Sequence, residues 1–141
     1  MALHSRVVSR GSSFRGGAVA EFNTDGTFVR QIASNKKAGN LHSPWGVALA
    51  PAGFGKFSNH LLVGNFSSGR IDAYSIKGRF KAQLATTTVK PITIPGLWTL
   101  DFGDSLKAGP TTDLLFTAGI DRESHGLFGT LQFVTPAKRS S

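Results

Sequence analysis

The chain has 141 residues, 16 Lys and Arg against 8 Asp and Glu, and no cysteine. That length suits one domain with a sizeable core, and the missing cysteines exclude disulfides, thiolate metal sites and cysteine catalysis. No apolar run approaches the roughly 18 residues of a spanning helix, and the N-terminus lacks the apolar core of a secretory signal.

The net charge of +8 loses its meaning once it is placed. Arg6, Arg10 and Arg15 lie in residues 1–15, which hold no acid, and Lys138 and Arg139 lie in residues 136–141. The ends thus carry five of the eight excess charges. The body has no long basic run beyond the pair Lys36-Lys37, which argues against nucleic-acid binding. Residues 1–15 read as a disordered basic tail, with an Arg- and Ser-rich transit peptide as the alternative, and residues 136–141 read as a second tail.

From Gly17 the pattern is β. Val19 and Glu21 alternate with Ala18, Ala20 and Phe22, as a half-buried strand requires. Asn23-Thr24-Asp25-Gly26 is a turn signal, and Thr27 to Ile32 returns as the second arm of a hairpin. Ser34 to His42 is a polar connection.

The stretch Ser43 to Ala85 then holds four short apolar segments separated by Gly, Ser, Asn and Pro. Strands are predicted over Trp45 to Ala50, His60 to Asn65, Arg70 to Ser75 and Arg79 to Ala85, a four-stranded antiparallel meander. After Pro91 and Pro95 come Gly96 to Phe102, Asp113 to Ala118 and Gly129 to Val134, with a long connection from Gly119 to Leu127.

These segments repeat. Ala18 to Phe22 matches Arg70 to Tyr74, Gly26 matches Gly78, Phe28 matches Phe80 and Gln31 matches Gln83, all at an offset of 52. Trp45 matches Trp98, Val47 matches Leu100 and Leu61-Leu62 match Leu114-Leu115, all at 53, while Gly69 matches Gly129 at 60. A four-stranded unit recurring near every 50 residues predicts β-propeller blades. A sandwich would not repeat its strands in sequence at this interval.

The expected fold is therefore all-β, a partial β-propeller over residues 16–135. It contains a half blade (16–34), a complete blade (43–85) and a three-stranded blade (96–135). That amounts to about two to two and a half four-stranded antiparallel meanders, an open fan rather than a closed ring.

Leu41-His42-Ser43-Pro44-Trp45-Gly46-Val47-Ala48-Leu49-Ala50-Pro51-Ala52-Gly53-Phe54-Gly55, with Leu61 to Phe66, Gly96-Leu97-Trp98 and Phe116 to Ile120, resembles a family of conserved hypothetical β-propellers related to NHL-repeat proteins. Many bacterial members are exported and some carry PEP-CTERM sorting signals. The resemblance covers roughly residues 16–135 and implies a fold. It implies no activity and carries over no functional residues. Family members usually have a full ring, so the chain is expected to be a truncated gene product or to complete its ring with other copies. An open fan would leave two apolar blade faces uncovered, surfaces for a protein partner or self-association.

Chemistry is sparse. Pro51 to Ser58 lacks the spacing of a phosphate-binding loop and no helix is predicted after it. His4, His42, His60 and His125 form no ligand motif. Asp101, Asp104, Asp113, Asp121 and Glu123 are the clustered acids, and turn capping is their default role. Asn65 and Asp121 are the pair that a divalent cation over a propeller channel would use. Asn65-Phe66-Ser67 is a glycosylation triplet. Trp45 and Trp98 share the repeat period and are expected to pack between blades, with ligand platforms as the alternative, while Phe54, Phe57 and Phe66 fall in loops, where they would serve a partner surface or cover blade edges. No catalytic, cofactor or metal residues are assigned and no cofactor is expected. The reading is a non-enzymatic binding or scaffold module, with a metal-dependent hydrolase or lactonase of propeller type as the alternative.

Overall fold

A computed structural model describes residues 16–34 and 41–135, and residues 2–6 as backbone. Ten strands fall into three antiparallel sheets, none closed on itself. The first contains β1 (Ala2–Arg6), β2 (Ala18–Phe22) and β3 (Phe28–Ser34). The second contains β4 (Pro44–Leu49), β5 (Leu61–Asn65), β6 (Ile71–Tyr74) and β7 (Phe80–Gln83). The third contains β8 (Leu97–Phe102), β9 (Asp113–Gly119) and β10 (His125–Gln132). In each sheet consecutive strands are neighbours.

All nine predicted strands are present, and β1 is an addition. Its five residues lie within the expected disordered tail, yet they pair in continuous register with β2, from Ala2 opposite Phe22 to Arg6 opposite Ala18. An open edge on β2 supplies backbone partners whatever the side-chain pattern of the incoming segment, so composition gave no sign of it. The rest of that tail, the Lys36-Lys37 pair and the C-terminal tail lie outside the described residues.

β10 also starts earlier than expected. The connection after β9 is short because Asp121, Arg122 and Glu123 all take left-handed conformations (φ 52°, 57° and 67°). They reverse the chain at once, Ile120 bridges to His125, and pairing begins there.

The internal repeat is reproduced as geometry in the hairpins, whereas Gly69, in a left-handed turn (φ 67°), and Gly129, inside β10, do not correspond. In both the β2–β3 and β6–β7 hairpins the glycine amide donates to a carbonyl three residues earlier, Gly26 to Asn23 at 2.9 Å and Gly78 to Ser75 at 2.8 Å. Both glycines have strongly positive φ, 89° and 84°. Both pairs shift register at the same place, between Glu21 and Phe22 and between Ala73 and Tyr74. Beside each shift two aromatic rings meet edge to face with centroids 5.6 Å apart, Phe22 with Phe28 and Tyr74 with Phe80.

Two cores flank the central sheet, and alternation along its strands assigns residues to each. Leu61, Val63 and Tyr74 join Val19, Ile32, Ala33 and Leu41 on the side of the first sheet. Leu62, Ile71 and Ala73 join Leu97, Leu100, Leu114 and Phe116 on the side of the third. Every residue of β5 and β6 is buried. Phe54 and Phe57, expected in loops where they would serve a partner surface or cover blade edges, are buried, plugging the second core through the turn Gly55–Phe57.

The outer face of the third sheet departs from the apolar surface expected of an open fan. Leu114, Phe116 and Ala118 point inward, so alternation turns Asp113, Leu115 and Thr117 outward. Thr99, Asp101, Thr130 and Gln132 lie across from them. Thr99 and Thr117 hydroxyls are 2.6 Å apart, and Gln132 donates to both carboxylate oxygens of Asp113 at 3.0 and 3.1 Å. These cross-strand polar pairs are of the kind that antiparallel sheets turn to water, and they share the face with Leu115 and with the exposed ring of Phe128 opposite Thr117.

The two repeated turns give a matched test. A Cβ at Gly26 meets nothing within 4 Å, whereas one at Gly78 falls 2.1 Å from the Ile32 carbonyl oxygen. Gly26→Ala should therefore cost only the conformational term of roughly 1–2 kcal/mol. Gly78→Ala should cost clearly more, read as a lower urea midpoint than that of the Gly26 variant, because it also separates the first sheet from the second.

Candidate functional site

The first strands of the second and third sheets lie side by side. Gly46 of β4 makes this approach possible, since a Cβ there would sit 2.7 Å from the Leu100 amide nitrogen and 2.8 Å from the Trp98 carbonyl oxygen. At this junction each strand carries a bulge at the matching position. Pro44 faces Asn65 and Gly46 faces Gly64, leaving Trp45 as the extra residue. Leu97 faces Ala118 and Thr99 faces Thr117, leaving Trp98 as the extra residue.

A bulge re-aims the side chain it carries. Trp45 is 55% exposed and Trp98 is 43% exposed, so neither tryptophan is buried between sheets as the repeat period led us to expect. Phe66, on the turn after β5, lies 6.3 Å from Trp45 by ring centroids. Trp98, Thr117, Glu123, His125, Leu127 and Phe128 line an open cavity of about 540 Å³. Its walls are aromatic and its rim carries a carboxylate and an imidazole. Two large rings held outward by backbone geometry, with polar groups at the margin, have the make-up of a recognition surface.

Ser124 and His125 at the rim lie close to Asp121 without forming a catalytic triad. Ser124 Oγ lies 3.1 Å and Asp121 Oδ2 3.3 Å from the same ring nitrogen, His125 Nδ1. A general base needs the nucleophile on one nitrogen and the orienting carboxylate on the other.

A second polar group is buried. Asp72 and Asn65 are fully buried, and the Asn65 amide donates to Asp72 Oδ2 at 2.9 Å while Gln83 donates to Asp72 Oδ1 at 2.9 Å. Asn65 Oδ1 accepts the His42 backbone N–H at 2.8 Å. Arg70 donates to Gln83 at 3.2 Å, and a groove of about 530 Å³ lined by His42, Ser68, Arg70, Phe80 and Gln83 opens beside them. Burial pushes the Asp72 carboxyl up, against the Gln83 and Asn65 hydrogen bonds and the charges of His42 and Arg70. Burial and the Asp72 charge push the Tyr74 phenol up as well.

The structure sends the other sequence candidates elsewhere. Asn65 is committed to its hydrogen bonds inside β5, while Asp121 is on an exposed turn, so the two share no site. The same burial keeps the Asn65 amide of the glycosylation triplet from solvent. Asp104 caps its own loop, accepting from the Leu106 and Ala108 amides at 2.8 and 3.1 Å. Asp101 accepts from the Phe102 amide and Asp113 from Gln132. His60 meets the Ser58 carbonyl, away from His42 and His125. Among the described residues no three His, Asp or Glu side chains are grouped to hold a metal ion. The Asn65–Asp72–Gln83 network was missed, although an acid in the middle of a four-residue strand with Ile71, Ala73 and Tyr74 was its signal.

No family model matches the chain. It is similar to two uncharacterized proteins of Acanthamoeba polyphaga mimivirus, each 34% identical over 120 residues, which is 82% of this chain but only 29% and 27% of those proteins. A third protein of the same virus, also uncharacterized, is 32% identical over 81 residues. The chain thus spans under a third of the length of the relatives it matches.

The raised Asp72 carboxyl has a consequence for stability. The folded state holds the proton more tightly than the unfolded chain, whose carboxyl keeps its ordinary value of 3.8. Stability from this residue is therefore full below pH 3.8 and falls as pH rises through the higher folded value. In urea titrations between pH 3 and 7 the parent should lose more stability, or gain less, than Asp72→Asn, since the lowered carboxyls of Asp25 and Asp104 act in the opposite sense in both. An unchanged pH dependence in the variant would show that Asp72 does not produce it.

Proposed function

We propose that the chain is a section of a β-propeller of NHL-like type and acts as a non-catalytic binding module. Its recognition surface is the aromatic end formed by Trp45, Phe66, Trp98 and Phe128. The observation that carries this reading is the repeated bulge, which turns a tryptophan out of the first strand of each of two successive sheets. Both rings stay largely exposed at matched positions, and large exposed aromatic side chains are enriched at binding surfaces. The propeller arrangement is supported by the close approach of β4 and β8 at Gly46 and by the internal repeat at offsets of 52 and 53. The outer face of the third sheet presents hydrogen-bonding pairs together with Leu115 and Phe128, so a neighbouring sheet on that side would meet a mixed surface.

The chain has only two tryptophans, so its intrinsic fluorescence reports this surface directly. Titration with a panel of peptides and oligosaccharides should yield ligands that shift the emission saturably. Trp45→Ala or Trp98→Ala should weaken them about tenfold or more, the loss of roughly 1.4 kcal/mol or more per aromatic anchor, while leaving the fold intact by circular dichroism. Ligands indifferent to both substitutions would overturn the reading. So would ester or phosphoester turnover that disappears in Asp121→Ala.

A further inference from the structure

The three sheets end on three different outer strands, β3, β7 and β10, and among the described residues only two of these are protected. A free strand edge is a template for another chain, and proteins guard it with short length, charge and bulges. β7 has four residues with Lys81 among them, follows Arg79, and is broken by a register shift against β6. β3 carries Arg30 and two register shifts against β2. β10 has neither device. Its eight residues, His-Gly-Leu-Phe-Gly-Thr-Leu-Gln, include no Lys, Arg, Asp, Glu or Pro. It pairs with β9 without a shift from Gly126 to Gln132, and Phe128 on it is 67% exposed.

β10 also occupies a position whose partner is known from elsewhere in the molecule. It is the third strand of its sheet, the place held by β6 in the second and, by the repeat, by β2 in the first. Both of those strands are covered on their outer side by a strand of one pattern. Gly26-Thr27-Phe28-Val29-Arg30-Gln31-Ile32 covers β2, and Gly78-Arg79-Phe80-Lys81-Ala82-Gln83-Leu84 covers β6. The shared features are Gly-x-Phe-x-x-Gln-aliphatic. The Phe meets an aromatic of the third strand, and the Gln stands opposite Ala20 in one case and Asp72 in the other.

From these edges we infer that β10 is the acceptor for an extended polypeptide segment of the Gly-x-Phe-x-x-Gln-aliphatic pattern, added antiparallel as the fourth strand of the third sheet. The backbone ladder supplies affinity in such strand addition, and alternate side chains supply selectivity. The internal repeat fixes the occupant: the same pattern already fills this position in the other two sheets. The inference rests on neither the tryptophan surface nor the propeller reading, so either stands if the other fails.

The test uses the whole chain, isotope-labelled, and a synthetic peptide with the sequence of Gly78 to Ala85. The peptide should bind saturably at one to one, shift the resonances of β10, and slow exchange of alternate β10 amides by roughly tenfold or more. A peptide with proline in place of Leu84, whose amide donates to the Ile71 carbonyl of the third strand at 2.9 Å in the second sheet, should lose this effect. Four results would overturn the inference: no saturable shifts, equal binding by a scrambled peptide, shifts centred on β3 or β7, or a self-associated chain by sedimentation in which β10 is already protected.

Discussion

β5 and β6 supply alternate residues to two cores at once, and the rest of the molecule is arranged around that double burial. Leu61, Val63 and Tyr74 face one way, while Leu62, Ile71 and Ala73 face the other. A two-layer sheet protein would give these strands one wet face. Here both faces are dry, so neither the first sheet nor the third can leave without exposing half of the central one. The same double burial explains why Asp72 needs two side-chain donors: a carboxylate inside such a sheet has no water to turn to.

Repetition acts in this protein at the level of backbone irregularities. The register shifts beside Phe22 and Tyr74, the glycine turns at Gly26 and Gly78, and the bulges carrying Trp45 and Trp98 recur with the sequence offset. Bulges bend strands and increase twist, so their recurrence gives successive sheets similar local curvature. It also places the same side chain at the same end of each sheet. An aromatic surface built this way rests on rigid strands, which hold side chains more closely than loops can.

The sheets differ most at their free surfaces. The third sheet turns threonine, aspartate and glutamine pairs outward, whereas the first turns Ala18, Ala20 and Phe22 away from its Val19 face.

Much of this was legible in the residues. Two-residue alternation, turn signals such as Asp25-Gly26 and the offsets near 52 and 53 determined the all-β class, nine strands and the matched hairpins, because those depend on local pattern and backbone conformation alone. The tertiary structure decided what contact and pairing decide. It added β1, because an open edge accepts any backbone. It buried Phe54 and Phe57, because a loop can fold back over a core. It joined Asn65, Asp72 and Gln83, because residues on three strands meet only through register. It also set Trp45 and Trp98 outward, because periodicity shows that two residues are equivalent, whereas a one-residue bulge chooses the face they share.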